Sequence, residues 1–278
     1  MIKNIYFSLL LIAGLMLTAC SSDDNVSEQA PKTYYMTVDA TKGVNEAASP
    51  AYRRALNLSG STLSASWATT EHVYVQGTLV SNSSTFWFDG NLQPQTTGTS
   101  TQLNGAISLP TGWSYSSIAE AIGLNPEFTL QFPRSGDLDY TGQKGTLTDI
   151  AANYDYAIAT DVMFDIAGDH IIGTNTANFE NQQAIVKFTL KDKADGTTKL
   201  NPTALTINYG GENISLTSIP ALTYTTNGNG VLYVALPGFS SDVTLTATVG
   251  SDTYQCVKNG ATLNNGEYYE ITVKMTKQ

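Results

Sequence analysis

The chain is 278 residues long with only 14% of them charged, and 24 acidic against 14 basic side chains leave a net charge of −10. A field of that sign repels phosphate backbones, and no cluster of lysine or arginine forms a basic groove, so nucleic acid is not expected as a partner. The length suffices for one large or two ordinary domains, and packing must hold them, because Cys20 and Cys256 offer at most one disulfide.

Met1-Ile2-Lys3-Asn4 carries one positive charge, Ile5 to Leu17 is almost wholly apolar, and Leu17-Thr18-Ala19-Cys20 closes the run. This is the layout of a secretory signal over residues 1–19, and its apolar stretch falls short of the roughly 20 residues a spanning helix needs. The cysteine directly after a small pair resembles a bacterial lipobox, in which that residue is diacylated and becomes the mature N-terminus. Ser21-Ser22-Asp23-Asp24-Asn25 resembles the acidic export tag that sends lipoproteins of Bacteroides-type bacteria to the outer face of the cell. Cys20 is therefore the expected lipidation site. Each buried methylene contributes about 0.8 kcal/mol and two or more acyl chains anchor stably, so no protein span is required. Residues 20–32 are polar, end in Ala30-Pro31-Lys32 and read as a tether. Lipidation of Cys20 would leave Cys256 without a partner in the chain; it is expected as a buried, unpaired thiol.

Beyond the tether the pattern is β. Strands are predicted at Thr33–Ala40, Val73–Gln76, Phe86–Phe88, Phe128–Phe132 and Tyr156–Thr160, with residues 91–105, rich in Thr, Gln, Gly and Asn, as a long exposed loop or hairpin. Ser117-Ile118-Ala119-Glu120 fits a capping box, and Gly123 closes a helix of two turns. A second helical turn is expected over Leu147–Ala152. Gly168, Gly173 and Asn175 interrupt the pattern, which places the domain boundary near residues 170–180. Clean alternation follows in Val186/Phe188/Leu190, Leu205/Ile207/Tyr209, Leu232/Val234/Leu236, Val243/Leu245/Ala247/Val249, Tyr254/Cys256 and Tyr269/Ile271/Val273/Met275. Turn signals such as Asp195-Gly196, Gly210-Gly211 and Asn264-Asn265-Gly266 separate these runs. Strands with one apolar and one polar face argue an all-β chain of antiparallel sandwiches, in domains spanning 33–175 and 176–278.

Chemistry is hard to find. His72 and His170 fall in different predicted domains, and a zinc site needs about four nitrogen or sulfur ligands. Asp137 and Asp139 could flank a substrate or hold calcium, yet no loop offers the acidic run and turn glycine of an EF-hand. Asp161, Asp165 and Asp169 recur every four residues, but no metal site is read from them. No Gly-x-Ser-x-Gly elbow or nucleophile–base pair is visible. Trp67, Trp87 and Trp113 could build a sugar platform or simply fill a core. No catalytic residue, metal site or cofactor is expected, and the chain does not read as an enzyme.

The informative pair is Arg53-Arg54, set in Ser49-Pro50-Ala51-Tyr52-Arg53-Arg54-Ala55-Leu56-Asn57-Leu58. It follows the alternating segment Tyr34–Ala40 and precedes Ser61–Ser66, Trp67 and Val73-Tyr74-Val75. With Phe179–Phe188 as an opening strand of a second domain and Asn265–Lys274 as a closing strand, this arrangement resembles the fimbrillins of the Bacteroidales, lipoprotein-derived subunits of type V pili. The resemblance spans nearly the whole chain, though each motif is short.

The resemblance implies two tandem transthyretin-like β-sandwich domains, one or two short helices in the first, and a lipidated precursor on the outer membrane. It also implies that an arginine-directed or trypsin-like protease cuts between Arg54 and Ala55 and releases the first strand with its lipid. A strand from another fimbrial subunit would then fill the open groove by β-strand addition. Stalk subunits of the family carry an added C-terminal donor segment, whereas only Thr276-Lys277-Gln278 follow the closing strand here. Either that strand is donated, or the subunit only accepts, as a tip or accessory subunit binding a host or bacterial surface ligand would; an anchor subunit would escape cleavage. The competing reading is a non-enzymatic glycan-binding surface lipoprotein, which would expose Trp113 with Tyr115, or Phe86 with Trp87, as a stacking platform.

Overall fold

Alternate burial of side chains, the mark of a strand with one wet face, runs through most of the molecule. The computed structural model describes residues 32–42, 57–59 and 62–278, and Pro31–Gln278 form one unit. The first half comprises β1 (Thr33–Lys42), β2 (Asn57–Ser59), β3 (Thr62–Ser64), β4 (Tyr74–Thr78), β5 (Thr85–Trp87), β6 (Asp89–Gly90), β7 (Gln93–Pro94) and β8 (Ser100–Ser108). Then follow α1 (Ile118–Ile122), β9 (Glu127–Phe132), α2 (Leu147–Asn153), β10 (Ala157–Ala167), β11 (His170–Gly173) and β12 (Ala177–Asn181). The second half comprises β13 (Ala184–Asp192), β14 (Ala204–Tyr209), β15 (Glu212–Leu216), α3 (Ala221–Asn227), β16 (Val231–Leu236), β17 (Phe239–Val249), β18 (Asp252–Leu263) and β19 (Tyr268–Lys277).

The chain is mostly β in two large sheets, as the alternation predicts. The first runs β5-β4-β9-β10-β11-β1-β8-β6, with β12 joining β1 and β10; the second runs β15-β14-β17-β18-β19-β13-β16. Each wraps one core. Tyr34, Met36, Trp67, Leu103, Phe128, Phe132, Phe164 and Phe179 belong to the first, and Val186, Phe188, Leu205, Ile207, Leu232, Val234, Leu245 and Met275 to the second. The change from one core to the other falls between Phe179 and Ala184.

Several local expectations need correction. The strand pairs are not all antiparallel: β1 runs parallel to β11 and β12, and β13 runs parallel to β19. Parallel neighbours require a long crossover, here the whole run from β14 to β18. Of the two readings of residues 91–105 the hairpin holds, since β7 pairs antiparallel with β8, but it is not wholly exposed: β8 buries Thr101, Leu103 and Ile107 on one face. Its Gly105 is required by proximity, since a Cβ there would lie 2.1 Å from the Asn91 carbonyl oxygen. A third helix, α3, lies in the second half, started at Pro220 and ended before Gly228 at φ 88°. Ser117 caps α1 by accepting from the Glu120 amide at 3.2 Å. Glu120, however, reaches back to the amide and hydroxyl of Ser116, and these bonds hold its carboxyl below the usual range. Cys256 is half-buried rather than buried and is free, because β18 packs less completely at this point than at Tyr254.

One excursion links the halves. Residues 138–156 leave the first sheet and place Tyr140, Ile150, Ala151 and Tyr156 in the second core. Gln143, fully buried, donates from Nε2 to the Ala235 carbonyl at 2.7 Å and accepts from the Ala235 amide at 2.7 Å. Its side chain thus stands in for a strand along β16, an end strand of the sheet. The Gly145 carbonyl accepts from the Tyr233 amide at 3.0 Å, and the Gly142 amide donates to Ser215 of β15, the other end strand, at 3.1 Å. Both ends of the second sheet are engaged by one plug.

Candidate functional site

In the first sheet β1 is an interior strand. It pairs with β8 over the nine positions from Thr33↔Ser108 to Thr41↔Ser100. On its other side Tyr35, Met36 and Thr37 face β11, and Ala40, Thr41 and Lys42 face β12. Tyr34, Met36, Val38, Ala40 and Lys42 all point inward and are buried. Full burial of a Val or Met side chain contributes roughly 1.5–3 kcal/mol, so apolar pockets and two ladders share the work of holding the strand. The Tyr34 hydroxyl also accepts from the Ile118 amide at 2.9 Å, satisfying one of the amides left open at the start of α1. On β11, Gly173 makes room for Val38; a Cβ there would lie 2.5 Å from Val38 Cγ2.

The inward phase ends on a charge. Lys42 Nζ lies 3.4 Å from Glu71 Oε1 and 3.3 Å from Asp155 Oδ2, with all three side chains almost fully buried. The ammonium sits 3.8 Å from the ring centre of Phe132 and 4.9 Å from that of Trp67, a cation–π arrangement. Glu71 Oε2 accepts from the Ala68 amide at 3.2 Å, and Asp155 Oδ1 accepts from Gln183 Nε2 at 3.2 Å. The cluster joins the end of β1, the approach to β4, the link between α2 and β10 and the link between β12 and β13. An interior ion pair stabilises only when its members are paired and hydrogen-bonded; losing one partner is costly.

Sequence reasoning missed this cluster, since its four residues lie far apart in the chain. One signal was present: Lys42 continues the inward alternation of Tyr34, Met36, Val38 and Ala40 by one further step.

Cys20, Arg53, Arg54 and Ala55 lie outside the described residues. Lys42 and Asn57, the end of β1 and start of β2, bracket the connection that holds the arginine pair. His72 is half-buried and its Nδ1 lies 2.8 Å from Asn91 Oδ1. His170, beside Asp169 at 2.8 Å, is exposed and faces the Tyr35 ring at 6.0 Å. Asp139 accepts from the amide and hydroxyl of Thr141, which lowers its pKa, and it lines a polar cleft of about 350 Å³ with Arg134, Asn153 and Tyr154. The cleft's polar groups bind one another: Arg134 donates to the Asp139 carbonyl and to the Tyr156 hydroxyl. Among the described residues no three His, Cys, Asp or Glu side chains converge as metal ligands. Trp67 is buried edge-on to Phe132 and Phe179. Trp113 and Tyr115 are half-buried against the first core, with Trp113 4.5 Å from buried Phe86, so these rings are committed to packing rather than laid out as an open platform.

No family model matches the sequence, and a search of the curated proteins finds no match. Solved structures similar to this one include a candidate cell adhesion protein from Bacteroides ovatus, with TM-score 0.42, 14% identity and coverage of 90% of this chain and 96% of that one. A fimbrial assembly protein from Parabacteroides distasonis gives TM-score 0.34 at 15% identity, covering 88% and 92%. The tip fimbrial protein Mfa3 from Porphyromonas gingivalis, truncated at its C-terminus, gives 0.37 at 10%, covering 87% and 95%. Likeness of this degree carries no functional argument by itself; the strand slot and the sequence motifs carry it.

Proposed function

We propose that this chain is the surface lipoprotein precursor of a fimbrial subunit, anchored through Cys20 and the tether 20–32, in which β1 is the replaceable strand. Cleavage at Arg54-Ala55 would free β1 from residues 57 onward, and a strand of another subunit would take its place. The supporting observation is that the strand preceding the arginine pair lies between two ladders and sends alternate side chains into a core. Its departure would leave unpaired backbone groups on β8, β11 and β12 and an open apolar groove. An incoming extended segment repairs both at once.

The opposite role, donation of the last strand, has less support. β19 pairs with β13 over eight positions and buries Val273 and Met275 in the second core, so giving it up would open that core. An accepting subunit, at the tip or as an accessory serving adhesion, is the reading favoured here. The test is the N-terminal residue of the protein on intact cells and in purified fimbriae. Ala55 in fimbriae supports the reading; uncut chain starting at lipid-bearing Cys20 and incorporated normally would sink it.

A further inference from the structure

We propose that Glu71 and Asp155 gauge the charge of any strand that fills the β1 slot, so that an occupant must deliver one lysine-type ammonium to them. For an incoming strand the proposal rests on the strand-exchange reading above; for β1 itself it does not. Apolar alternation cannot set the register alone, because a slip by two residues returns every inward side chain to the core face. Such a slip of β1 would bring Ala40 to the ion site with Lys42 carried beyond it, or leave Lys42 short of it at the place of Ala40. Glu71 and Asp155 would then lose the ammonium that lies 3.4 and 3.3 Å from them, and the rings of Trp67 and Phe132 would lose the cation over their faces. That loss discriminates far more sharply than a misplaced methyl group. The lysine therefore fixes which extended segments fit and where they stop.

The chain contains the required pattern twice. Tyr34, Met36, Val38, Ala40 and Lys42 of β1 have the same spacing as Tyr269, Ile271, Val273, Met275 and Lys277 of β19. Laid end to end the two strands are identical at Tyr34/Tyr269, Thr37/Thr272, Val38/Val273, Thr41/Thr276 and Lys42/Lys277. In its own sheet Lys277 is half-exposed and pairs with Asp252 at 2.5 Å, so no buried ion site in the second half explains a lysine there. The partner chemistry is thus an extended segment of alternating apolar residues that ends on an inward lysine, and the sequence 268–277 is one example.

Two arms test this. In the intact chain, Lys42→Met should lower the melting temperature by about 10 °C, and adding Glu71→Gln with Asp155→Asn should restore most of that loss. In the second arm the folded chain is cut within residues 43–56 and challenged with labelled peptides of sequence 33–42 or 268–277. Both should enter the slot, and their Lys-to-Met forms should compete roughly 100-fold less well. Melting of Lys42→Met at the parent temperature, or equal competition by the lysine-free peptides, would overturn the proposal. If no peptide enters while the intact-chain arm behaves as expected, the gauge stands for β1 and the exchange reading falls.

Discussion

The two halves of this molecule secure their sheets by opposite means. The second sheet is closed at both ends by a plug borrowed from the first half, with Gln143, Gly142 and Gly145 bonded to β16 and β15. The first sheet keeps an interior strand, β1, whose covalent link to the rest of the described fold runs only through residues 43–56. Its attachment otherwise rests on two ladders, alternate pockets and one buried lysine. Backbone hydrogen bonds are plentiful in both halves, so their number does not separate them. What differs is where the hold is placed: the plug bonds the end strands of the second sheet, whereas β1 is held within its sheet and is followed in the sequence by an arginine pair.

The largest expected effect tests the closed half. Gln143→Leu would strand the buried amide and carbonyl of Ala235, and should destabilise the protein by about 2–5 kcal/mol in urea denaturation. Hydrogen exchange in β16 should accelerate before that in β1; simultaneous acceleration of both would erase the contrast. Gly173→Ala, by forcing a methyl group against Val38, should weaken the hold on β1 by about 1–3 kcal/mol. Its signature is faster exchange in β1 and β8 with β16 unchanged. Tyr34→Phe removes the acceptor for the Ile118 amide and should cost about 1 kcal/mol, read as earlier fraying of α1 by NMR.

The smallest effect is a pH dependence on the surface. The Thr198 hydroxyl, followed by the amides of Thr198 and Thr197, pulls the Asp195 carboxyl down to about 2. A group depressed in the folded state adds stability above its unfolded pKa, near 3.9, and loses it as pH falls through about 2. An NMR titration should place the Asp195 midpoint there. A midpoint near 3.9 would mean that the loop is open in solution.

Much of this was legible from spacing alone. The alternating runs after Ala184 became strands because one side chain in two meets the core, and Ser117 announced α1 because a hydroxyl there has an amide to cap. β8 was hidden because its inward residues, Thr101, Leu103 and Ile107, are diluted by Ser, Asn and Gly, one of which answers to the close approach of Asn91. α3 was hidden because Thr223, Thr225 and Thr226 suit strands better than helices; the last two return their hydroxyls to the Leu222 carbonyl. The Lys42 cluster was hidden because charge complementarity between distant segments leaves no local pattern. The last inward step of β1 was the part a longer reading of the alternation could have recovered.

The plug has a consequence for the order in which the molecule can mature. Gln143 and its partner Ala235 are 92 residues apart, and Tyr140, Ile150 and Tyr156 lie in a core built mainly from residues beyond 184. When a chain emerges N-terminus first, its early domain ordinarily folds before the rest arrives. Here residues 138–156 have no core to enter until β16 has emerged, and Asp155, which completes the Lys42 cluster, lies within that stretch. The ion cluster that locks β1 should therefore form late, after both halves are present. Pulse-labelled hydrogen exchange during refolding should show residues 140–156 gaining protection together with 231–236; protection appearing with β8 instead would reverse that sequence of events.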